Sequence, residues 1–270
     1  MLTVSADQLR RAAPSGDPNI IAAIAATSGA VFSKYALTSR NRALGFLSTC
    51  LEESGFKTLS EDLQDYTAER IHEVWRSRFP TVEDAVPYAH NAQKLADKVY
   101  DGRMGNIGAN AGWLYRGQGL DQITGEDNFQ LLSRLTGLDL INHPELVTSP
   151  DHMLECAAAL FVRYPGILAY CDAGAWTHVW ALVGAGRATA SVINLGNHEA
   201  ALAALEKAIP ALVEVAGPVA APVAQPSSVA RLDAVKASLA QITPTAAHED
   251  WLTRLEADAA SFFKSKGASS

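Results

Sequence analysis

Two glutamates nine positions apart, Glu52 and Glu61, are the residues of this chain whose type and spacing suit acid–base chemistry. Glu52 lies in Leu51-Glu52-Glu53-Ser54-Gly55-Phe56, at the C-terminal end of an otherwise apolar stretch. A helix dipole disfavours negative charge at that end, and partial burial adds desolvation; both raise a carboxyl pKa. A general acid that keeps its proton near neutral pH needs such surroundings. Glu52 follows Leu51 directly and Leu47 by five positions, so it sits beside the apolar face. Glu53 is turned about 100° further round, toward solvent. Glu61, in Ser60-Glu61-Asp62-Leu63, follows the break at Ser54-Gly55 and precedes the next helix, so it can face the first carboxyl across a cleft. Two carboxyls in different environments meet the needs of glycoside hydrolysis, where one protonates the leaving oxygen and the other activates water. Spacing by itself also fits solvated surface charge.

Most of the surrounding chain reads as helix. A short helix is expected around Ala6–Ala13, broken by Pro14 and Gly16. A longer one opens at Ser39 or Arg40, carries Ala43, Leu44, Leu47, Cys50 and Leu51 at helical spacing, and stops at Gly55. Thr67 and Thr81 are N-cap candidates on either side of the break at Phe79-Pro80. Lys94–Tyr100 is another short helix, stopped by Asp101-Gly102. Gly102–Gly119 holds six glycines with Trp113, Tyr115 and Arg116 between them, and reads as loop or hairpin. Further helices are expected over Asp127–Leu135, from Ser149-Pro150 to about Tyr164, over Ala175–Val183 and over Glu199–Ile209. Residues 214–228 carry three prolines without periodicity and read as an extended linker after a catalytic domain of residues 1–213. Residues 229–270 suggest a helical appendage too small for a large core of its own.

The bulk properties narrow the function classes. The 270 residues are 48% hydrophobic and 19% charged, a balance that can bury a core. A net charge of −7 disfavours nucleic-acid binding, which needs clustered Lys and Arg. It also leaves contact with an anionic cell wall to local basic patches. No run reaches the roughly 18 apolar residues of a membrane span, and Met1–Gly16 lacks the apolar core of a signal peptide. A soluble cytoplasmic product without stable membrane insertion is therefore expected. Cys50, Cys156 and Cys171 read as buried, reduced thiols, and the seven histidines show no metal-ligand spacing.

The sequence resembles family 19 glycoside hydrolases, specifically the compact bacteriophage endolysins of that family. Those show His-Glu-Ser-x-Gly-Phe and then Glu-Asn-Leu; Leu51–Phe56 and Glu61-Asp62-Leu63 align with them without a gap. Phe56 sets the register so that the family's acid falls on Glu52 and its base on Glu61. Tyr115-Arg116-Gly117-Gln118-Gly119-Leu120-Asp121-Gln122-Ile123-Thr124-Gly125 is similar to the family's Tyr-Arg-Gly-Arg-Gly-x-x-Gln-Leu-Thr-Gly, and Asn128-Phe129 continues it. Ala89–Tyr100 with Gly105-Asn106, Ile193–Gly196 and Leu9–Pro14 follow the pattern in order, so the likeness runs over about residues 1–210. Departures are Leu51 for the family His, Asp62 for Asn, Gln118 for Arg, Asp121 at an apolar position and Leu195 for Gly.

The resemblance implies a mainly α, lysozyme-like two-lobed fold with a small Gly-rich loop or hairpin region and a cleft between the lobes. It implies inverting hydrolysis of β-1,4 bonds between N-acetylated sugars, with no metal or organic cofactor. Glu52 would protonate the glycosidic oxygen, while Glu61 and the Thr124 hydroxyl would hold the attacking water. Gln122, Asn128 and Asn194 would hydrogen-bond the sugar, and Tyr115 or Trp113 would stack on it. Taken by themselves, Thr124 also suits a helix N-cap, Asn128 an ordinary helix surface, and Trp113 and Tyr115 a core. The expected role is a peptidoglycan-degrading endolysin, accumulating in a host cytoplasm and reaching the wall when the membrane is breached. The alternatives are a chitinase acting on chitin oligomers and, given the departures, a non-catalytic glycan-binding homologue.

Overall fold

A computed structural model describes residues 2–214, and the expected linker and helical appendage lie outside these residues. The described residues are mainly helical, with twelve α-helices and one two-stranded antiparallel pair. None of these helices is long and apolar enough to cross a membrane.

The framework is built around α3, Arg40–Ser54. Ser39 caps its start by accepting from the Arg42 N–H, and Gly55 ends it at φ 61°, a left-handed conformation that suits glycine. Residues 43–50 are all buried, so this helix is surrounded rather than amphipathic. Around it pack α1 (Ala6–Ala12), α2 (Pro18–Lys34), α9 (Met153–Val162), α10 (Ile167–Asp172), α11 (Trp176–Ala185) and α12 (Leu195–Ala208). Phe46 meets Phe32 edge-on at 6.5 Å and Phe161 at 5.5 Å between ring centroids. Each buried aromatic of this kind stabilises the fold by about 1.5–3 kcal/mol. The indole N–H of Trp180 in α11 donates to the Ser48 hydroxyl of α3 at 3.3 Å. Arg42 in α3 grips Asp172 at the end of α10 through both Nε and Nη2. That grip is partly exposed, so it fixes orientation more than it adds stability.

A second cluster gathers Leu63, Ile71, Phe79, Leu95 and Val99, from α4 (Ala68–Val74), α5 (Val82–Ala85), α6 (Ala92–Tyr100) and their connections. A third, centred on Phe129, Leu132 and Leu160, joins α8 (Glu126–Thr136) to α9. Between them runs the Gly-rich segment, which holds one short helix, α7 (Ala111–Leu114).

Several features differ from the sequence expectation, among them the short helix α7 inside the segment read as loop or hairpin. The helix α2 was not expected because Pro14 and Gly16 signal a stop; Asp17 restarts the helix by accepting from Asn19 N and Ile20 N, with Pro18 at the first position. The Ser149-Pro150 pair does not open α9, which begins at Met153 after a turn. Helix α10 follows Gly166 directly and is only six residues long. Finally, β1 (Leu2–Thr3) pairs with β2 (Val213–Glu214), bringing the two ends of the described chain together. Pairing over such a separation leaves no local signal.

Candidate active site

The C-terminal turn of α3 forms one wall of a cavity of about 350 Å³. Phe46, Thr49, Cys50 and Glu53 face it, a helical stripe one side of α3 wide. Gln122, Thr124 and Asn128 form the opposite side, with Asp121 beside them. Arg163 and Tyr164, just past α9, complete the rim, and the Arg163 guanidinium stacks on the Tyr164 ring at 4.3 Å.

Of the two adjacent glutamates, Glu53 therefore lines the cavity. Glu53 is an exposed residue overall, yet desolvation of its carboxyl at the cavity wall, the Glu52 charge and the Asp121 charge push that carboxyl up to about 7. Asp121 is itself raised to about 6 by burial, offset in part by its own backbone N–H and by Arg163. Glu52 turns to the other side of α3. Its carboxylate is 3.9 Å from Nε2 of His198 in α12, with side chains only 9% and 11% exposed. The His198 ring stacks on Trp180 at 5.1 Å and 17°, and its Nδ1 is buried without a partner among the described residues. Burial lowers the His198 pKa while the Glu52 charge raises it in part.

Glu61 is held by backbone pairing. Its N–H donates to Gly117 O at 2.8 Å, while Gly119 N donates to Leu59 O. Gln118 and Ile123 exchange both backbone hydrogen bonds, so residues 59–61, 117–119 and 122–123 form a small antiparallel patch. The Tyr100 hydroxyl donates to both oxygens of Glu61, at 3.0 and 2.8 Å. Burial raises the Glu61 pKa, against the lowering effects of Tyr100, the Gly117 N–H and the Arg116 charge. Gly117 is the meeting point: a Cβ there would lie 3.2 Å from Gln122 Oε1, and 3.5 Å from both Glu61 Cβ and Thr124 Oγ1. Glu61 thus adjoins the cavity through Gln122 and Thr124.

The other polar residues form a chain. Thr124 Oγ1 donates to Gln122 O at 3.0 Å, and Asn128 Nδ2 donates to Thr124 O at 2.8 Å. Thr124 does not cap α8, which starts after Gly125 with no side-chain cap. Gln122 sits at φ 49°, a left-handed conformation that costs a residue with a Cβ about 1–2 kcal/mol. It is held there by its side chain, which donates to Gly119 O at 2.9 Å. Behind this segment Asn106 is 1% exposed, donates to Tyr100 O and accepts from Glu126 N. It ties the loop to the start of α8.

Three expected sugar contacts lie elsewhere. Tyr115 is 6% exposed, packs on Phe129 at 5.1 Å and donates to Ile141 O, so it is a core residue with no face free for a sugar. Trp113 packs against the Phe79–Leu95 cluster, and the Arg116 guanidinium covers its ring at 3.7 Å. Asn194 starts α12 at φ 55°, and its carbonyl accepts from Asn197 N and His198 N; it is not among the cavity residues. Conversely, Tyr100, Arg163 and Tyr164 join the site without belonging to either acidic motif. Tyr100 had a signal, closing the segment before Gly105-Asn106. Arg163 and Tyr164 had none.

Fold and cavity together define a mainly helical protein with carboxyl groups from two elements facing one cleft. Compared with known proteins, the chain is similar to a glycosyl hydrolase family 19 domain-containing protein of Haemophilus influenzae, with 30% identity over 126 residues. The match covers 46% of this chain and spans 62% of the length of that relative. No family model matches the chain. The similarity supports a relationship to glycosyl hydrolase family 19, in line with the mainly helical, lysozyme-like fold.

Proposed function

We propose that the chain is an inverting glycoside hydrolase that cleaves β-1,4 bonds between N-acetylated sugars of peptidoglycan, as an endolysin that reaches the wall once the host membrane is breached. The observation that carries this reading is the meeting of Glu61, Gln122 and Thr124 at Gly117, on the edge of a cavity whose far wall ends in the acidic turn of α3. That turn supplies a proton donor to the glycosidic oxygen. Glu61, anchored by Tyr100, takes a proton from water that the Thr124 hydroxyl helps to hold. Inversion needs carboxyls far enough apart, at ~6.5–9.5 Å, to admit that water. Gln122 and Asn128 supply hydrogen bonds to an acetamido sugar. The related Haemophilus protein's family description supports a glycan as substrate.

The test is turbidity loss of outer-membrane-permeabilised Gram-negative cells, with soluble fragments identified by mass, wild type beside Glu61→Gln. Lysis that needs Glu61 supports the reading, and the reducing-end sugar names the bond. Lysis unchanged in Glu61→Gln removes it.

A second reading is a chitinase. Glu53 and Asp121 in the cavity, with a net charge of −7, suit a neutral polymer better than an anionic one. Release of soluble chitooligosaccharides without wall lysis would select it.

A further inference from the structure

We propose that Arg163 determines specificity at this cavity by receiving a carboxylate carried on a muramic acid unit, so that an acidic glycan is selected over a neutral one. The proposal rests on the glycosidase reading of the same cavity. It comes from one cation held in a fixed orientation by groups that do not neutralise it. Arg163 directly follows α9 and lines the cavity together with Gln122, Thr124 and Asn128. Its guanidinium is anchored twice, both times by neutral acceptors. Nη1 donates to Leu160 O at 3.0 Å, and Nη2 donates to the Tyr164 hydroxyl at 2.6 Å. That hydroxyl is itself fixed by donating to Val183 O at 3.2 Å, and the Tyr164 ring stacks on the guanidinium at 4.3 Å. Stacking and two bonds hold the planar fork in place. Among the described residues they use only two of its N–H groups, and Arg163 is exposed, so the remaining donors can be reached by a ligand.

The other charged residues lining the cavity are Glu53 and Asp121. Neither forms an ion pair with Arg163 among the described residues, although the Arg163 charge reaches Asp121 and lowers its pKa in part. Desolvation favours the protonated forms of both carboxyls, which weakens the negative field that an acidic ligand meets. A planar guanidinium with adjacent donors matches a carboxylate in geometry as well as in charge. A chain of N-acetylglucosamine carries no such group. A glycan containing muramic acid does, either as the free lactyl carboxylate or as a carboxylate of the attached peptide.

The experiment is a cycle between residue and ligand group, read as binding so that it needs no turnover. Calorimetry compares Glu61→Gln with Glu61→Gln/Arg163→Gln, both as full chains. The ligands are a tetrasaccharide of alternating N-acetylglucosamine and N-acetylmuramic acid, and the same glycan bearing an alanyl-isoglutamate dipeptide, each as free acid and as methyl ester. Arg163→Gln is expected to weaken binding of a free acid about 5- to 30-fold, between an exposed ion pair and a charge-assisted hydrogen bond, and to change its ester little. Selective loss on the peptide-free glycan assigns the lactyl carboxylate; selective loss confined to the peptide-bearing glycan assigns the peptide's. Equal losses on acid and ester in both pairs overturn the proposal, because a residue that only holds Tyr164 in place would weaken all four alike. No binding of either free acid overturns it as well. Turnover is read separately with the wild-type chain. If the selective loss is found but wild type cleaves neither glycan, the glycosidase reading fails and Arg163 remains a carboxylate reader. If wild type cleaves them and no selective loss is found, the glycosidase reading stands and the proposal falls.

Discussion

The two sides of the last turn of α3 carry the same side chain in different settings. On one side, Glu53 lines a cavity shared with Asp121, and its carboxyl is pushed up to about 7. On the other, Glu52 is nearly buried against His198, which stacks on Trp180. The difference teaches that residue type and position along the helix axis do not settle a carboxyl's chemistry. What settles it is the element packed on that face: a polar hairpin on one side, the scaffold helix α12 on the other.

The comparison can be broken most directly by exchanging which carboxyl is lost. Glu61→Gln should produce the largest effect, about 10²- to 10⁴-fold in kcat, with Glu52→Gln and Glu53→Gln measured beside it to separate the two sides of α3. Equal activities of Glu52→Gln and Glu53→Gln would break the contrast between the two sides. Next in size is the hairpin that makes the Glu53 side polar. Gly125 has φ 91°, and a Cβ there would lie 2.4 Å from Met104 Cβ. Gly125→Ala should therefore cost about 1–3 kcal/mol in urea unfolding, and it should lower activity by displacing Thr124. Ser39→Ala removes the cap of the helix that carries both glutamates. It should cost about 1 kcal/mol without moving the pH profile. The smallest expected effect sharpens the Glu52 side. His198 has its folded pKa lowered by burial, so the unfolded chain binds its proton more readily. Stability is then fully present above the unfolded histidine value and falls as pH drops through the folded one. His198→Gln should flatten stability against pH over that acidic window, measured by melting temperature from pH 7 downward. A slope identical to wild type would show that the imidazole stays uncoupled from folding.

Much of the framework was legible because its signals are local. Ser39, Thr67 and Thr81 cap the helices they were expected to cap, and Gly55 and Gly137 end theirs in left-handed conformations. Each depends on a few neighbouring backbone groups, which sequence spacing specifies. The Gly-rich stretch was legible as mostly irregular for the same reason, although it also holds the short helix α7. Gln122, Thr124 and Asn128 could be placed near one another because they lie within seven residues of chain.

Sequence by itself thus determined where helices start and stop, which segment would be irregular, and which acidic residues to consider. Tertiary structure decided the rest. It paired β1 with β2 across the whole described chain and buried Tyr115 against Phe129. It covered Trp113 with Arg116 and turned Glu53 rather than Glu52 into the cavity. The physical reason is that helical periodicity fixes the angle between neighbouring side chains, about 100°, but not the rotation of the whole helix about its axis. For a helix buried on all sides, that rotation is set only by the elements packed around it.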